Sequence, residues 1–189
     1  FEAFNVAFPG LIGRDEGLLS AADMTAFRQF ALLLRYPPNP IRALDNGLRN
    51  PTTGASEQRG AAIYGALGPP NPPPPVTDGI TSCVGCHTLN PTAGFFGGNG
   101  ETTFDAEPQA FKVPHLRNVY QKVGMFGLPD VGNTDGPFAH QGPQIRGTGF
   151  NHDGTIDTAN RFFSNTVFNL SPAQQQDMEA FMMVFPTDL

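Results

Sequence analysis

Apolar side chains recur at helical spacing near the start of the chain. Within residues 20–35 they stand three or four positions apart, at Met24, Phe27, Ala31 and Leu34. This spacing places them on one face of an α-helix. Ser20 stands just before the helix and Asp23 three positions later, a pattern typical of a capping box at a helix N-terminus. The prolines that begin at Pro37 end the predicted helix.

The C-terminal stretch repeats this pattern. Ser171 is followed at once by Pro172 and, three positions later, by Gln174, which predicts a second capped helix. Its apolar stripe consists of Met178, Phe181, Met182 and Phe185. Two interpretations of the likeness stay open. Either two amphipathic helices have converged, or residues 1–50 are the tail of an upstream domain of similar type.

The middle of the chain shows one shorter helical pattern. A helix is predicted near residues 56–67, where Gly60 is small enough to let another helix approach closely. Its apolar side consists of Ile63, Tyr64 and Leu67. We expect Gly68 to end this helix. Residues 69–75 contain six prolines and favour an extended polyproline loop.

Glycine and proline dominate much of the remaining chain. Residues 90–112 are expected to be loop-like, with one helical turn after Pro114. Residues 124–154 hold no hydrophobic period and are expected to form a long loop. So much irregular chain in a compact domain should be wrapped around something. The predicted fold class is therefore all-α, with short helices joined by long Gly/Pro-rich loops.

Composition and charge narrow the class of protein. With 22 glycines and 19 prolines, the 189-residue chain is too rich in turn formers for an idealised helical bundle. Its 39% hydrophobic content, including 17 phenylalanines, can still close a core. The net charge of −6 argues against a nucleic-acid partner. No stretch approaches the roughly 18 apolar residues of a membrane span, and the start at Phe1 suggests a processed mature form or a fragment.

Both cysteines of the chain lie in the run Cys83-Val84-Gly85-Cys86-His87. A structural zinc site needs about four ligands, and this run supplies three at most. A thioredoxin-like dithiol would follow a strand in an α/β pattern, which this sequence lacks. Covalent haem attachment fits the run better, because two cysteines three positions apart can reach two vinyl groups while the next histidine ligates the iron. We therefore expect one haem c, bound by Cys83, Cys86 and His87.

A six-coordinate electron carrier also needs an axial ligand on the opposite face, usually Met or His. Met125 lies in a glycine-rich stretch that can bring a thioether close to the iron, and it is the predicted ligand. The alternatives are another methionine, an open site, or one of the remaining histidines: His115, His140 and His152. Arg117 is predicted to hold a haem propionate by a bidentate contact, with an ordinary surface salt bridge as the alternative.

Four separated motifs then occur in order: Arg59-Gly60, Cys83-Val84-Gly85-Cys86-His87-Thr88, Phe111-Lys112-Val113-Pro114-His115-Leu116-Arg117-Asn118-Val119 and His152-Asp153-Gly154. Together, over about residues 56–185, they resemble the C-terminal haem domain of the bacterial di-haem cytochrome c peroxidase and MauG-like superfamily. The resemblance implies a class I cytochrome c-like helical fold and His87 as the proximal ligand. It also implies that Arg117 and Asn118 belong to the structured segment over the haem.

The sequence departs from that family in two respects. Peroxidases of the family need two haems, and this chain has one attachment motif. The His-Asp-Gly motif is delayed to His152 by a glycine-rich insertion, and Met125 falls near the place of a distal residue. The enzymatic activity is therefore not carried over. We predict an N-terminal helical extension over residues 1–50 and a mono-haem cytochrome c domain over residues 51–189.

Two functions follow from this interpretation. The first is electron transfer by a His/Met-ligated haem, with redox proteins as partners and a larger electron-transfer complex as a possible setting. The second is a peroxidase or oxidase domain with an open distal site, which would need a second haem. Lys112 and Lys122 are the only lysines and could orient an acidic partner, but a chain of net charge −6 has no broad basic surface for steering, so the partner face is not assigned. Covalent haem attachment indicates a periplasmic or extracellular location in a bacterium.

Overall fold

The computed structural model describes most of the helical parts of the chain. It describes residues 2–13, 15–65, 83–87, 89–90, 95–96, 102–104, 110–123, 149–150, 156 and 158–187. Contacts divide the chain into two units, residues 1–37 and residues 38–189. The predicted boundary, which placed residues 1–50 in an N-terminal extension, therefore differs from this division by thirteen positions.

Helices are the main regular elements of the described chain. Six α-helices are present: α1 (Phe8–Ile12), α2 (Ala21–Leu33), α3 (Glu57–Tyr64), α4 (Cys83–Cys86), α5 (Ala159–Phe163) and α6 (Pro172–Met183). Two 3-10 helices cover Glu2–Ala7 and Val119–Gln121. The predicted helical class is confirmed at this level, and the cytochrome c-like class stays a prediction. None of the described helices is long and apolar enough to cross a membrane.

Two short antiparallel strand pairs lie where a loop was predicted. The strands are β1 (Leu89–Asn90), β2 (Phe95–Phe96), β3 (Thr102–Phe104) and β4 (Ala110–Lys112). Leu89 pairs with Phe96, and Thr103 pairs with Phe111. Threonine and phenylalanine favour such extended pairs, but segments of two or three residues are too short to show a period of two. The prediction that residues 90–112 are loop-like is therefore wrong at these strands.

The first unit has its own small set of contacts. The Phe8 ring contacts the rings of Phe4 and Phe27 edge-on, with centroids 5.9 and 5.5 Å away. The predicted N-cap of α2 is confirmed, because the Ser20 hydroxyl accepts from the Asp23 amide at 3.1 Å. The reciprocal contact of the predicted capping box differs. In a capping box the Asp23 carboxylate would accept from the Ser20 backbone amide, whereas here it accepts from the Ser20 hydroxyl at 2.7 Å.

The second unit is organised around a close crossing of α3 and α6. A Cβ atom added to Gly60 would lie 2.0 Å from the Asp177 carbonyl oxygen and 2.7 Å from the Phe181 Cβ. No side chain fits in that gap, so the two backbones can meet only at glycine. The prediction that Gly60 allows another helix to approach closely is confirmed.

Aromatic residues fill the space beside this crossing. Tyr64, Phe181 and Phe185 are fully buried, and the three ring centroids lie 5.5 to 5.6 Å apart. The predicted apolar stripe of the C-terminal helix is confirmed, since all four of its residues are buried: Met178, Phe181, Met182 and Phe185. Phe185 lies two positions beyond the last residue of α6. Helix α5, which the sequence analysis missed, adds Ala159 and Phe163 to the same core.

A buried carboxylate joins α6 to the start of α3. Asp177 accepts hydrogen bonds from Arg59 Nε at 2.8 Å, from Arg59 Nη2 at 2.9 Å and from the Ser56 amide at 2.7 Å. Burial acts to raise the pKa of Asp177, but the hydrogen bonds from Arg59 and Ser56 and the guanidinium charge outweigh it. The pKa of Asp177 therefore lies below its ordinary value.

Residues 38–50 belong to the second unit because they satisfy the C-terminal end of α6. The last carbonyl groups of a helix have no partner within it. Asn39 and Arg42 donate to these groups at 2.8 to 3.2 Å: the acceptors are the carbonyls of Met183, Val184 and Phe185. The prediction that residues 1–50 derive from an upstream domain remains a prediction.

Helix α3 is shorter than predicted. It ends at Tyr64, and Gly65 follows in the left-handed conformation with φ 98°, which glycine adopts without steric cost. The sequence placed this end at Gly68. The turn predicted after Pro114 is present as the 3-10 helix Val119–Gln121. The polyproline stretch and the long loop predicted over residues 124–154 lie almost wholly outside the described residues.

We expect Gly60→Ala to destabilise the second unit strongly. The added methyl group would force the two helix backbones apart, at a cost of about 3 kcal/mol or more in the free energy of unfolding. Gly10→Ala is the matched control, because a Cβ at this helical position would meet nothing within 4 Å. Urea unfolding followed by circular dichroism measures both. Equal stability of the two variants would contradict the close crossing.

Asp177→Asn should remove a pH-dependent part of the stability. A carboxylate whose folded pKa lies below the ordinary 3.8 stabilises the fold fully above that value, and loses this contribution as the pH falls through the folded pKa. Arg59 is 45% exposed, so solvent screens the pair, and we expect a loss of about 1–3 kcal/mol at pH 7. The loss should shrink below pH 4 and be absent in the exposed control Asp45→Asn. A pH-independent loss would refute the assignment.

Candidate functional site

The cysteine–histidine run forms one helical turn. Helix α4 covers Cys83–Cys86, and the His87 amide donates to the Cys83 carbonyl at 2.7 Å, which continues the helical bonding to the histidine. Residues three positions apart on a helix lie on the same side. The two cysteines therefore face one direction, as the sequence predicted, and both are free thiols. We call residues 83–87 the attachment turn.

The two thiols have different environments. Cys83 is half-buried and packs against the hydrophobic core together with Val84, whereas Cys86 is exposed. Burial raises the pKa of the Cys83 thiol to about 11, and the neighbouring Cys86 adds to this shift while a backbone hydrogen bond opposes it. One end of the attachment turn is thus held by the core, and the other end is open to solvent.

The imidazole of His87 is oriented by the backbone of a distant segment. Its Nδ1 lies 3.0 Å from the Pro114 carbonyl oxygen. A carbonyl only accepts hydrogen bonds, so Nδ1 carries the proton in this contact. In the neutral ring, Nε2 then keeps its lone pair. This is the usual arrangement of a metal-ligating histidine, whose second ring nitrogen donates to a carbonyl or carboxylate group.

The backbone of His87 is held from a different side. The Tyr64 hydroxyl on α3 donates a hydrogen bond to the His87 carbonyl oxygen. Burial raises the pKa of Tyr64, and the charge of Cys83 adds to the effect, so the hydroxyl keeps its proton. Sequence reasoning placed Tyr64 on an apolar helix face and missed this role. The available signal was the residue type, since a buried tyrosine hydroxyl usually has a polar partner.

Basic side chains lie on both sides of Pro114 along the chain. His115 lies at the surface, where partial desolvation of its ring lowers its pKa and the charges of Arg117 and Lys122 lower it further. Arg117 is half-buried, and Lys112 is exposed. Asn118 adopts the left-handed conformation with φ 61° and leads into the 3-10 helix. Its buried Oδ1 accepts no hydrogen bond from the residues described.

Several predicted site residues lie outside the part of the chain that the structure describes. These are Met125, the alternative ligands His140 and His152, and Thr88 of the attachment motif. Met178 and Met182 are described and lie in the hydrophobic core. Among the described side chains, no group of three or more His, Cys, Asp and Glu could hold a metal ion.

The residues of the attachment turn fit a covalently bound haem. Two thiols on one side of a turn, followed by an imidazole anchored at Nδ1, form the donor set that such a group requires. Compared with known proteins, the chain matches no family model. Neither the curated proteins nor the solved structures give a significant match.

The difference between the two thiols can be measured on protein produced without haem. Raising the pKa of Cys83 by about two units lowers its thiolate fraction about 100-fold at pH 8. A thiolate of higher pKa is also more nucleophilic, which offsets about tenfold of this loss in rate. We expect iodoacetamide to alkylate Cys86 at least about tenfold faster, as followed by peptide mass spectrometry. In urea the rates should converge. Equal rates in the folded protein would contradict the burial of Cys83.

Proposed function

We propose that residues 51–189 form a mono-haem c-type cytochrome domain that transfers electrons, with a class I cytochrome c-like arrangement of helices. The observation that carries the proposal is the hydrogen bond between His87 Nδ1 and the Pro114 carbonyl. This contact orients an imidazole for ligation directly after a Cys-x-x-Cys turn. The motif resemblance to the C-terminal haem domain of the di-haem peroxidase and MauG-like superfamily supports the same conclusion.

In this proposal the attachment turn holds the group and controls one axial position. Cys83 and Cys86 would bind haem c through thioether bonds, and His87 would ligate its iron through Nε2. When bound, the haem supplies an iron that cycles between the ferric and ferrous states. The Pro114 carbonyl fixes the tautomer of His87 and would make its Nε2 a stronger electron-pair donor to the iron. Packing of Cys83 and Val84 on the core keeps the turn in place.

The position of His115 narrows the choice of second axial ligand. Pro114 meets the Nδ1 edge of the His87 ring, which points away from the ligating Nε2. His115 follows Pro114 directly, so in a haem-bound protein it would belong to the segment that contacts the Nδ1 edge of the proposed proximal histidine. This speaks against His115 as a distal ligand or as an acid–base group of a peroxidase. Met125 remains the proposed ligand, and His87 with Met125 would saturate the iron.

Charged residues near Pro114, whose carbonyl contacts His87, support two further parts of the proposal. Arg117 is half-buried and close enough to His115 to affect its pKa, which suits a role in neutralising a haem propionate. Exposed Lys112 lies on the same segment and could meet an acidic face of a redox partner. A bacterial periplasmic or extracellular location, and membership of a larger electron-transfer assembly, belong to the same proposal.

The spectrum of the matured protein tests the axial ligands. We expect the chain, produced in a bacterium with a c-type maturation system, to gain the mass of one haem and to show the weak red sulfur-to-iron charge-transfer band. Met125→Ala should abolish this band and lower the reduction potential on the order of 100 mV, because axial ligands tune haem potentials over roughly 0.8 V. Met183→Ala, at a half-buried position of α6, is the matched control.

Other outcomes would separate the competing functions. A high-spin ferric spectrum would indicate an open distal site and favour the peroxidase or oxidase function. A low-spin spectrum without the red band would point to a histidine ligand and exclude Met125. No covalent haem in the parent chain, under conditions where a control cytochrome matures, would overturn the proposed function. The Cys83→Ser/Cys86→Ser double variant gives the background for the mass measurement.

A further inference from the structure

His87 is held by two hydrogen bonds that come from separate parts of the fold. The Pro114 carbonyl binds the ring at Nδ1, and the Tyr64 hydroxyl binds the backbone carbonyl. The ring contact limits the rotation of the imidazole. It does not by itself fix the position of the main chain from which the imidazole extends. That position depends on the contacts of the backbone, and Tyr64 makes one of them.

The His87 carbonyl is a group that needs a partner. It follows the single turn of α4, and the carbonyl groups at the C-terminal end of a helix receive no hydrogen bond from N–H groups of the same helix. The Tyr64 hydroxyl on α3, 23 positions earlier in the chain, donates a hydrogen bond to this carbonyl. The attachment turn is too short to be stable alone. The hydrogen bond from Tyr64 therefore helps to fix the position of the main chain at the C-terminal end of the turn.

Tyr64 is itself rigidly placed. Its side chain has no exposed surface, and its ring lies 5.5 Å from the rings of both Phe181 and Phe185. It extends from the same helix that crosses α6 at Gly60. The hydroxyl oxygen therefore has a fixed location relative to the two crossing helices, and the His87 carbonyl is tied to that location.

We propose that Tyr64 is a positioning residue, whose hydroxyl fixes the main chain of His87 and would thereby steady the Nε2 atom in its ligation of a haem iron. This inference rests on the proposed function, because it concerns the strength of the His87 ligation. Tyr64 does not touch the iron. It acts through His87, and it links the proximal ligand to the crossing of α3 and α6.

Nitric oxide tests this role in the haem-bound protein. The ferrous nitrosyl form is six-coordinate while the proximal histidine stays bound and five-coordinate when the histidine is displaced, and absorption and electron paramagnetic resonance spectra distinguish the two. Tyr64→Phe keeps the ring and removes the donor. We expect it to raise the ratio of five- to six-coordinate nitrosyl about two- to tenfold, the range that one hydrogen bond spans.

Two controls separate positioning from general stability. Tyr120→Phe removes a hydroxyl whose contact is an exposed hydrogen bond from Gln121, and its ratio should equal that of the parent protein. Phe185→Leu loosens the packing around Tyr64 but keeps the hydroxyl. We expect it to lower the unfolding midpoint in urea while changing the nitrosyl ratio by less than Tyr64→Phe does.

A second measurement covers the case in which Tyr64→Phe does not fold. The chain has three tyrosines, so a Tyr36→Phe/Tyr120→Phe protein grown with 3-fluorotyrosine is fluorinated at Tyr64 alone. The fluorinated phenol is a stronger donor, and the five-coordinate fraction should fall. An unchanged ratio in both experiments would overturn the positioning role while the haem-binding function stands. A parent chain without haem would instead refute the proposed function itself.

Discussion

The close crossing of α3 and α6 at Gly60 is the constraint on which the second unit depends. With the Asp177 carbonyl oxygen only 2.0 Å from where a Cβ would stand, no other residue allows the two backbones this approach. The contact brings Tyr64 against Phe181 and Phe185, so it also determines the position of the hydroxyl that holds His87. The helix crossing at Gly60 is thus connected to His87, the candidate ligand, through the ring and the hydroxyl of Tyr64.

Polar contacts at the start of α3 set the register of this crossing. Asp177 receives three hydrogen bonds, from the Ser56 amide and from the guanidinium of Arg59. The Glu57 carboxylate accepts from the Arg49 amide at 2.8 Å and pairs with its guanidinium. Partly screened ion pairs add little net stability. Their geometry matters more, because a buried carboxylate left without these donors would be costly, and any slippage of α6 along α3 would leave Asp177 in that state.

Local features of the sequence were the ones that predicted structure correctly. The caps at Ser20 and Ser171 and the apolar stripe at the C-terminal helix are each recognisable within a few positions of the chain. Gly60 was recognised by its size alone, although the helix it admits lies more than a hundred positions away. The end of α3 was misplaced because Gly65 and Gly68 are equivalent as sequence signals, and packing decides between them. Helix α5 was missed because five residues are too few to show a period.

The candidate site divides in the same way. The helical turn from Cys83 to His87 follows from local spacing, whereas its two anchors come from 23 and 27 positions away. No local pattern encodes that Pro114 meets the ring of His87 or that Tyr64 meets its carbonyl. These contacts exist because α3, α6 and the segment after β4 pack together. Sequence reasoning could therefore name His87 as the proposed ligand, but it could not predict which contacts orient it.

Anchoring of a ligand at both its ring and its main chain has a consequence for the proposed chemistry. An electron carrier works best when its ligands move little between oxidation states, because less rearrangement then accompanies each transfer. The Pro114 carbonyl restrains rotation of the His87 imidazole, and the Tyr64 hydroxyl restrains its backbone. Neither of the two groups that restrain His87 ionises near neutral pH, since the Pro114 carbonyl has no titratable proton and burial raises the pKa of the Tyr64 hydroxyl. In the proposed haem-bound state, these two restraints on His87 would therefore stay the same while the iron changed its oxidation state.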